Sequence, residues 1–163
     1  MSAASEGPTP GFLVWRLSMK WRVAVDRALA PLGLTHAQYS LLASLLGLER
    51  AGQRPSQRQL ADHTGLEALY VSKLARALET AGLVERTRDA ADTRAVRLAL
   101  TDRGREAAGR AVTVVQQLVD RLLAPLGGLE GWRTEVLVRE LTALIDAPLD
   151  APSDVPLTPP TEE

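Results

Sequence analysis

The chain contains no cysteine. That excludes a disulfide framework, a thiolate-held zinc or iron–sulfur site, a thiol nucleophile and any thiol-based redox sensor. Only two histidines are present, His36 and His63, which leaves little for metal chemistry. There is no phosphate-cradling glycine loop and no serine in a nucleophile elbow, so nothing points to an enzyme, a metal or a cofactor. Residues 28–48 carry no charge, but Pro31, Gly33, Thr35, His36 and Gln38 interrupt them, so a membrane span is not expected. The start, MSAASEG, lacks the basic region and apolar run of a secretory signal, and the expected location is the cytoplasm.

What is present is 163 residues, 45% apolar and 24% charged, enough for a globular fold with a core of useful size. The 19 Lys plus Arg nearly balance the 20 Asp plus Glu, yet the charges are unevenly laid out. Between 50 and 110 there are twelve basic and eight acidic residues, a net +4, whereas 111–163 hold three Arg against nine acids, a net −6. An anionic partner would therefore meet the middle of the chain. Seventeen of the basic residues are Arg, the better fork for phosphates and base edges.

Apolar periodicity predicts helices over most of the chain. Phe12, Trp15, Met19, Val23 and Leu29 mark a first helix that stops before Pro31-Leu32-Gly33. Thr35-His36-Ala37-Gln38 and Ser56-Gln57-Arg58-Gln59 both read as capping boxes, opening a leucine-rich second helix and a short third one that ends near Gly65. A fourth helix, about 68–80, sets Val71, Leu74, Ala75 and Leu78 on one side. Leu83–Arg88 and Arg94–Leu100 read as the two strands of a small hairpin. Thr101-Asp102-Arg103-Gly104 begins a long fifth helix with Ala111, Val115, Leu118 and Leu122 as its seam, and a sixth follows from Glu130 to about Asp146. The prediction is a mainly α fold with a β-hairpin wing: loose residues 1–10, a dimerisation helix in 11–34, a winged helix-turn-helix domain in 35–104, dimerisation helices in 105–147 and a disordered acidic, Pro-rich tail in 148–163.

In that arrangement the helix after the turn can lie in a DNA major groove. At 100° per residue, the face of the fourth helix opposite its core side collects Leu69, Ser72, Lys73, Arg76 and Thr80, with Tyr70 on a flank. Leu69 is suited either to a thymine methyl or to ordinary surface exposure. At the hairpin tip, Arg94 can enter a minor groove, with Asp92 two residues away to aim it; the bland alternative is an exposed ion pair. Arg76, Arg86, Arg88, Ser56, Gln57 and Arg58 are candidate phosphate partners.

These pieces together resemble the MarR family of bacterial transcriptional regulators from about residue 12 to 147. The resemblance rests on Leu60-Ala61 with Gly65-Leu66, on Val71-Ser72-Lys73-Leu74, and on Leu78-Glu79 with Ala81-Gly82-Leu83-Val84-Glu85-Arg86. The wing Asp89-Ala90-Ala91-Asp92-Thr93-Arg94 leading into Leu100-Thr101-Asp102-Arg103-Gly104 completes it. It implies a homodimer that holds two winged domains over a pseudo-palindromic operator on double-stranded DNA, most often as a repressor. Ser72 and Lys73 match positions where the family uses Ser or Thr followed by Arg; Lys73 departs from that Arg and cannot form the bidentate fork to guanine. Glu67 stands at the helix cap where many relatives have Ser or Asp.

The resemblance further implies a cleft for a small aromatic or lipophilic effector between the dimer helices and the winged domain. Trp15, Arg16, Met19, Arg22, His36 and Tyr39 are the candidates to line it, core packing being the alternative for each. The apolar stripes of the outer helices exceed what one small winged domain covers, which favours a second copy over a closed monomeric bundle. A winged-helix module that binds another protein is the competing function.

Overall fold

The computed structural model describes residues 7–90, 92 and 94–148. The tail beyond 148 and most of the expected loose start lie outside them. The chain divides into two compact units, residues 1–119 and 120–163.

In the first unit, helix α1 (Pro10–Leu29) starts at a proline, whose missing N–H costs nothing in a first turn, and Thr9 caps it. A 3-10 turn, Ala30–Leu32, ends at Gly33 and leads into α2 (His36–Arg50). Helices α3 (Gln57–Thr64) and α4 (Ala68–Thr80) flank a turn in which Gly65 adopts φ 69°, a conformation that strains any residue bearing a Cβ. Both expected capping boxes are formed, at Thr35–Gln38 and Ser56–Gln59. Strands β1 (Val84–Arg88) and β2 (Val96–Leu100) pair antiparallel, with Val84 opposite Leu100 and Arg88 opposite Val96. Ser56 adds a single bridge to Arg97, and the Leu98 N–H donates to the Pro55 carbonyl at 3.0 Å, so the segment before α3 extends the hairpin sideways.

The core is built from Val25 and Leu29 of α1, Leu41, Leu42 and Leu45 of α2, Leu60 of α3, Val71, Ala75 and Leu78 of α4, and Leu98 and Leu100 of β2. Helix α5 (Asp102–Leu123) joins it through Ala108, Ala111 and Val115. Its first turn is tied to the end of α4: the Thr101 hydroxyl donates to the Gly82 carbonyl at 2.8 Å and accepts the Gly104 N–H at 2.9 Å. Gly104 is buried so closely that a Cβ there would stand 1.9 Å from the Leu83 carbonyl oxygen. The Leu-Thr-x-x-Gly sequence thus has a steric cause.

In the second unit, the 3-10 turn Ala124–Leu126 leads through Gly127 and Gly128 to α6 (Trp132–Asp146), two residues later than the sequence suggests. Thr134 is the one buried residue of α6 among those described, its hydroxyl donating to the Gly128 carbonyl at 2.7 Å. Trp132, Leu144 and Ile145 stand 73%, 65% and 81% exposed. Helix α1 likewise leaves Phe12, Leu13, Val14, Trp15, Leu17, Met19 and Val23 exposed. Among the described residues no helix is long and apolar enough to cross a membrane.

Candidate nucleic-acid interface

The α4 periodicity read from sequence matches its burial. Val71, Leu74, Ala75 and Leu78 are buried; Leu69, Lys73, Arg76 and Thr80 are exposed and Ser72 is half-buried. Leu69, at 79% exposure, is held out on the polar face. The Arg76 Nη2 donates to the Ser72 hydroxyl one turn earlier at 3.1 Å, which joins two of the candidate contacts into one polar group. Glu67 stands at the N-cap with an extended backbone but makes no side-chain cap bond, so its carboxylate acts on the helix through charge alone.

Beside this face lies a cleft of about 750 Å³ lined by Ser56, Gln57 and Arg58 at the start of α3, Ala68 at the start of α4, and Asp92 and Arg94 of the wing. Five of the sequence-selected residues therefore share one concavity. The Ser56 hydroxyl is engaged as the α3 cap, accepting the Gln59 N–H at 3.2 Å, while the buried Gln57 Oε1 has no hydrogen-bond partner among the described atoms. Asp92 does not hold Arg94 in the way the sequence suggests. Its Oδ1 accepts the Arg94 backbone N–H at 3.0 Å, so it shapes the turn that presents the arginine, and Arg94 is exposed.

Arg86 and Arg88 stand apart from this cleft. Arg86 pairs with Glu79 at the end of α4, Nη1 to Oε2 at 3.2 Å, and its side chain is only 21% exposed. Arg88 is exposed and lines a different hollow, with Arg54, Asp89 and Arg97. Sequence reasoning missed Arg97 altogether. Its Nε donates to Asp89 and its Nη1 to the Arg54 carbonyl, a link across 43 residues that no local pattern reveals.

A second cleft, about 810 Å³, is lined by Arg22 and Asp26 of α1, Thr35, His36 and Ser40 at the start of α2, Thr64 and Leu66 around the helix-turn-helix bend, and Tyr70 of α4. Of the six residues expected in an effector cleft, Arg22 and His36 are here. Trp15, Arg16 and Met19 lie on the exposed N-terminal half of α1, where Phe12 and Trp15 stack at 6.1 Å and the Arg16 guanidinium sits over the Phe12 ring at 5.8 Å. Tyr39 is half-buried against the core. Tyr70, expected on the flank of the DNA-facing surface, is exposed and also lines this cleft.

Burial lowers the His36 pKa from its ordinary 6.5; the Asp26 carboxylate pulls it back up and Arg22 pushes it down further. The His36 ring meets Trp21 edge-on at 6.5 Å. Burial raises the Tyr39 pKa, which keeps the phenol protonated.

Comparison with known proteins agrees with this geometry. A profile described as MarR family matches residues 32–95. The chain is 36% identical over 110 residues to the HTH-type transcriptional regulator YdcH of Bacillus subtilis, covering 68% of this chain and 75% of that one. It is 35% identical over 128 residues to an HTH-type transcriptional repressor of Mycobacterium tuberculosis, covering 77% and 87%. Among solved structures it is similar to the transcriptional repressor CouR bound to a 23-mer DNA duplex, with a TM-score of 0.71 and 29% identity over 90% of this chain and 100% of that one. CouR from Rhodococcus jostii has also been solved bound to p-coumaroyl-CoA, with a TM-score of 0.68 and 28% identity over 86% of this chain and 93% of that one. By its helix order, its hairpin wing and its identity with these relatives, the chain belongs to the MarR family of transcriptional regulators.

Proposed function

We propose that the protein is a homodimeric repressor that binds a pseudo-palindromic operator on cytoplasmic DNA and is released by a small aromatic or lipophilic effector. The observation that carries the DNA part is the convergence of the α3 cap, the start of α4 and the Arg94-bearing tip on one cleft beside the exposed Lys73–Arg76 face. In this reading Lys73, Ser72, Arg76 and Leu69 face the major groove, and Arg94 enters the adjacent minor groove, where a guanidinium is favoured by the negative potential. Ser56, Gln57 and Arg58 meet the backbone, and Arg88 reaches a flanking phosphate. Arg86, paired with Glu79, supports the hairpin more than it meets DNA.

The exposed apolar residues of α1 and of α6 support a second copy as their cover, since faces of this extent are costly in water. The relative named as a repressor and the DNA-bound repressor CouR support the direction of regulation. For the effector, the cleft of Arg22, Asp26, His36 and Tyr70 supplies an apolar wall with a cation and two hydrogen-bonding rings, suited to an aromatic acid. Tyr70 belongs to the DNA-reading helix, so a ligand seated there touches α4 directly. Such a ligand releases DNA only if it binds the two geometries unequally, and DNA must weaken the ligand by the same factor.

Selection from a random DNA pool tests the proposal. A two-fold symmetric site with half-sites roughly one helical turn, about 10 bp, apart is expected. Enrichment of no site, or of one without symmetry, would overturn it.

A further inference from the structure

Arg97 and Asp89 stand outside both clefts. Asp89 closes β1, and its side chain is only 9% exposed, while that of Arg97 is 42% exposed. The two side chains make an ion pair, and Arg97 also donates to the Arg54 carbonyl in the loop before α3. A carboxylate this buried requires a cation beside it, so the pair is structural in the first instance. Its connections reach further. The Asp89 Oδ1 accepts the Asp92 N–H at 3.2 Å, and the Asp92 Oδ1 in turn accepts the Arg94 N–H at 3.0 Å. The Asp89 N–H donates to the Ala95 carbonyl at 3.0 Å, closing the base of the turn.

A continuous chain of polar contacts therefore runs from the Arg54 carbonyl through Arg97, Asp89 and Asp92 to the backbone of Arg94. Both of its ends are significant. Arg54 immediately precedes Pro55 and Ser56, the cap of α3, and Arg94 forms the opposite wall of the 750 Å³ cleft. A two-stranded hairpin is marginal by itself, and its tip needs an anchor outside the ladder. Here β2 supplies one: Leu98 and Leu100 are buried in the core, and the position just before Leu98 holds Arg97, which lies opposite Thr87 across the strands and reaches back to the loop.

We propose that Asp89 and Arg97 are positioning residues for DNA binding, fixing the place at which the wing presents Arg94 opposite the N-terminus of α3. The role rests on the DNA-binding reading above, and it makes a prediction that simple charge does not. Asp89→Asn removes a negative charge from a region with net +4, so charge alone would tighten binding to DNA. The positioning role requires the opposite, because an asparagine amide keeps one acceptor oxygen where the carboxylate offers two, so either the Arg97 Nε–H or the Asp92 N–H loses its partner and the tip is freed.

The test uses the full chain and the duplex selected by the wild type. Asp89→Asn and Arg97→Met are expected to weaken binding about fivefold or more in the wild-type background, and less than about twofold where Arg94 is already Ala, since their effect passes through that side chain. Backbone amide exchange in the DNA-free protein provides the independent arm. The Asp92 and Arg94 amides should exchange about tenfold faster in Asp89→Ala, while the Leu98 and Leu100 amides keep their protection. Tighter or unchanged binding by Asp89→Asn, or an equal loss with and without Arg94, overturns the positioning role while leaving DNA binding in place. Unchanged exchange at Asp92 and Arg94 overturns the relay itself. If the wild type selects no DNA, the positioning role falls together with the DNA-binding reading, whatever the exchange arm shows.

Discussion

The Oδ1 of Asp26 on α1 accepts the backbone N–H of His36, the first residue of α2, at 2.7 Å. Together with the Thr35–Gln38 box it satisfies N–H groups that the start of a helix leaves without partners. The bond also fixes one wall of the cleft shared by Arg22, His36 and Tyr70. Asp26→Ala is expected to cost about 1–2 kcal/mol of stability, the usual worth of a helix N-terminal acceptor, as read by denaturant melts. No change in the melt would mean that water replaces the carboxylate without loss.

The same pair sets a pH dependence. Because burial lowers the His36 pKa in the fold, the unfolded chain binds the proton more readily, and stability falls as pH drops through the ordinary imidazole value of 6.5 toward the lower folded value. Above 6.5 His36 contributes no such slope. Melts of the wild type and of His36→Gln between about pH 5 and 7.5 should diverge only on the acid side, with the wild type losing more. Asp26→Asn removes the charge that pulls the His36 pKa up, so an NMR titration of His36 should move to still lower pH. A shift in the opposite direction would contradict the assigned cause.

Glu49 ties the end of α2 to β2 and to the start of α5. From the end of α2, its Oε1 accepts the Leu100 N–H at 2.7 Å, and its Oε2 pairs with the Arg105 Nε at 3.1 Å. Arg105 in turn meets Asp102 at 2.8 Å. Glu49→Ala leaves the Leu100 N–H without its acceptor and is expected to destabilise by about 1.5–3 kcal/mol, the range for hydrogen bonds to a charged group, with Glu49→Gln losing less. Equal losses for the two variants would show that packing, not charge, is what Glu49 supplies.

Gly104→Ala is the sharpest steric prediction. The added methyl would meet the Leu83 carbonyl oxygen at 1.9 Å, backbone that cannot move aside without shifting the α4–β1 connection. A loss of about 1–3 kcal/mol or more is expected by thermal or denaturant unfolding, whereas Gly109→Ala, with nothing within 4 Å, should be neutral or stabilising for a helix. Similar melts for the two variants would contradict the close approach.

What the sequence discloses here is what repeats locally. The 3.6-residue period placed Val71, Leu74, Ala75 and Leu78 inward and Leu69 outward, and both capping boxes were readable because their partners lie three residues apart. The hairpin was readable from Val96, Leu98 and Leu100, although its strands are shorter than expected because the turn takes up 94 and 95. Contacts between distant segments left no such trace. The Glu49–Leu100 bond spans 51 residues and the Arg97–Arg54 bond 43, and either arginine or glutamate alone looks like a solvated charge. Tyr70 illustrates the same limit: the α4 period sets it on the flank of the exposed face, and it is exposed there, but the period does not name the cleft with Arg22 and His36 that it also lines.

The most direct test of the central claim is the affinity of the Arg94→Ala protein for the duplex the wild type selects, measured between about 50 and 200 mM salt. The account predicts a loss of about tenfold or more with an unchanged circular dichroism spectrum, and a steep fall of wild-type affinity with salt, as contacts to phosphates require. Unaltered affinity in Arg94→Ala, or wild-type binding indifferent to salt, would contradict a wing that reaches into DNA beside the reading helix.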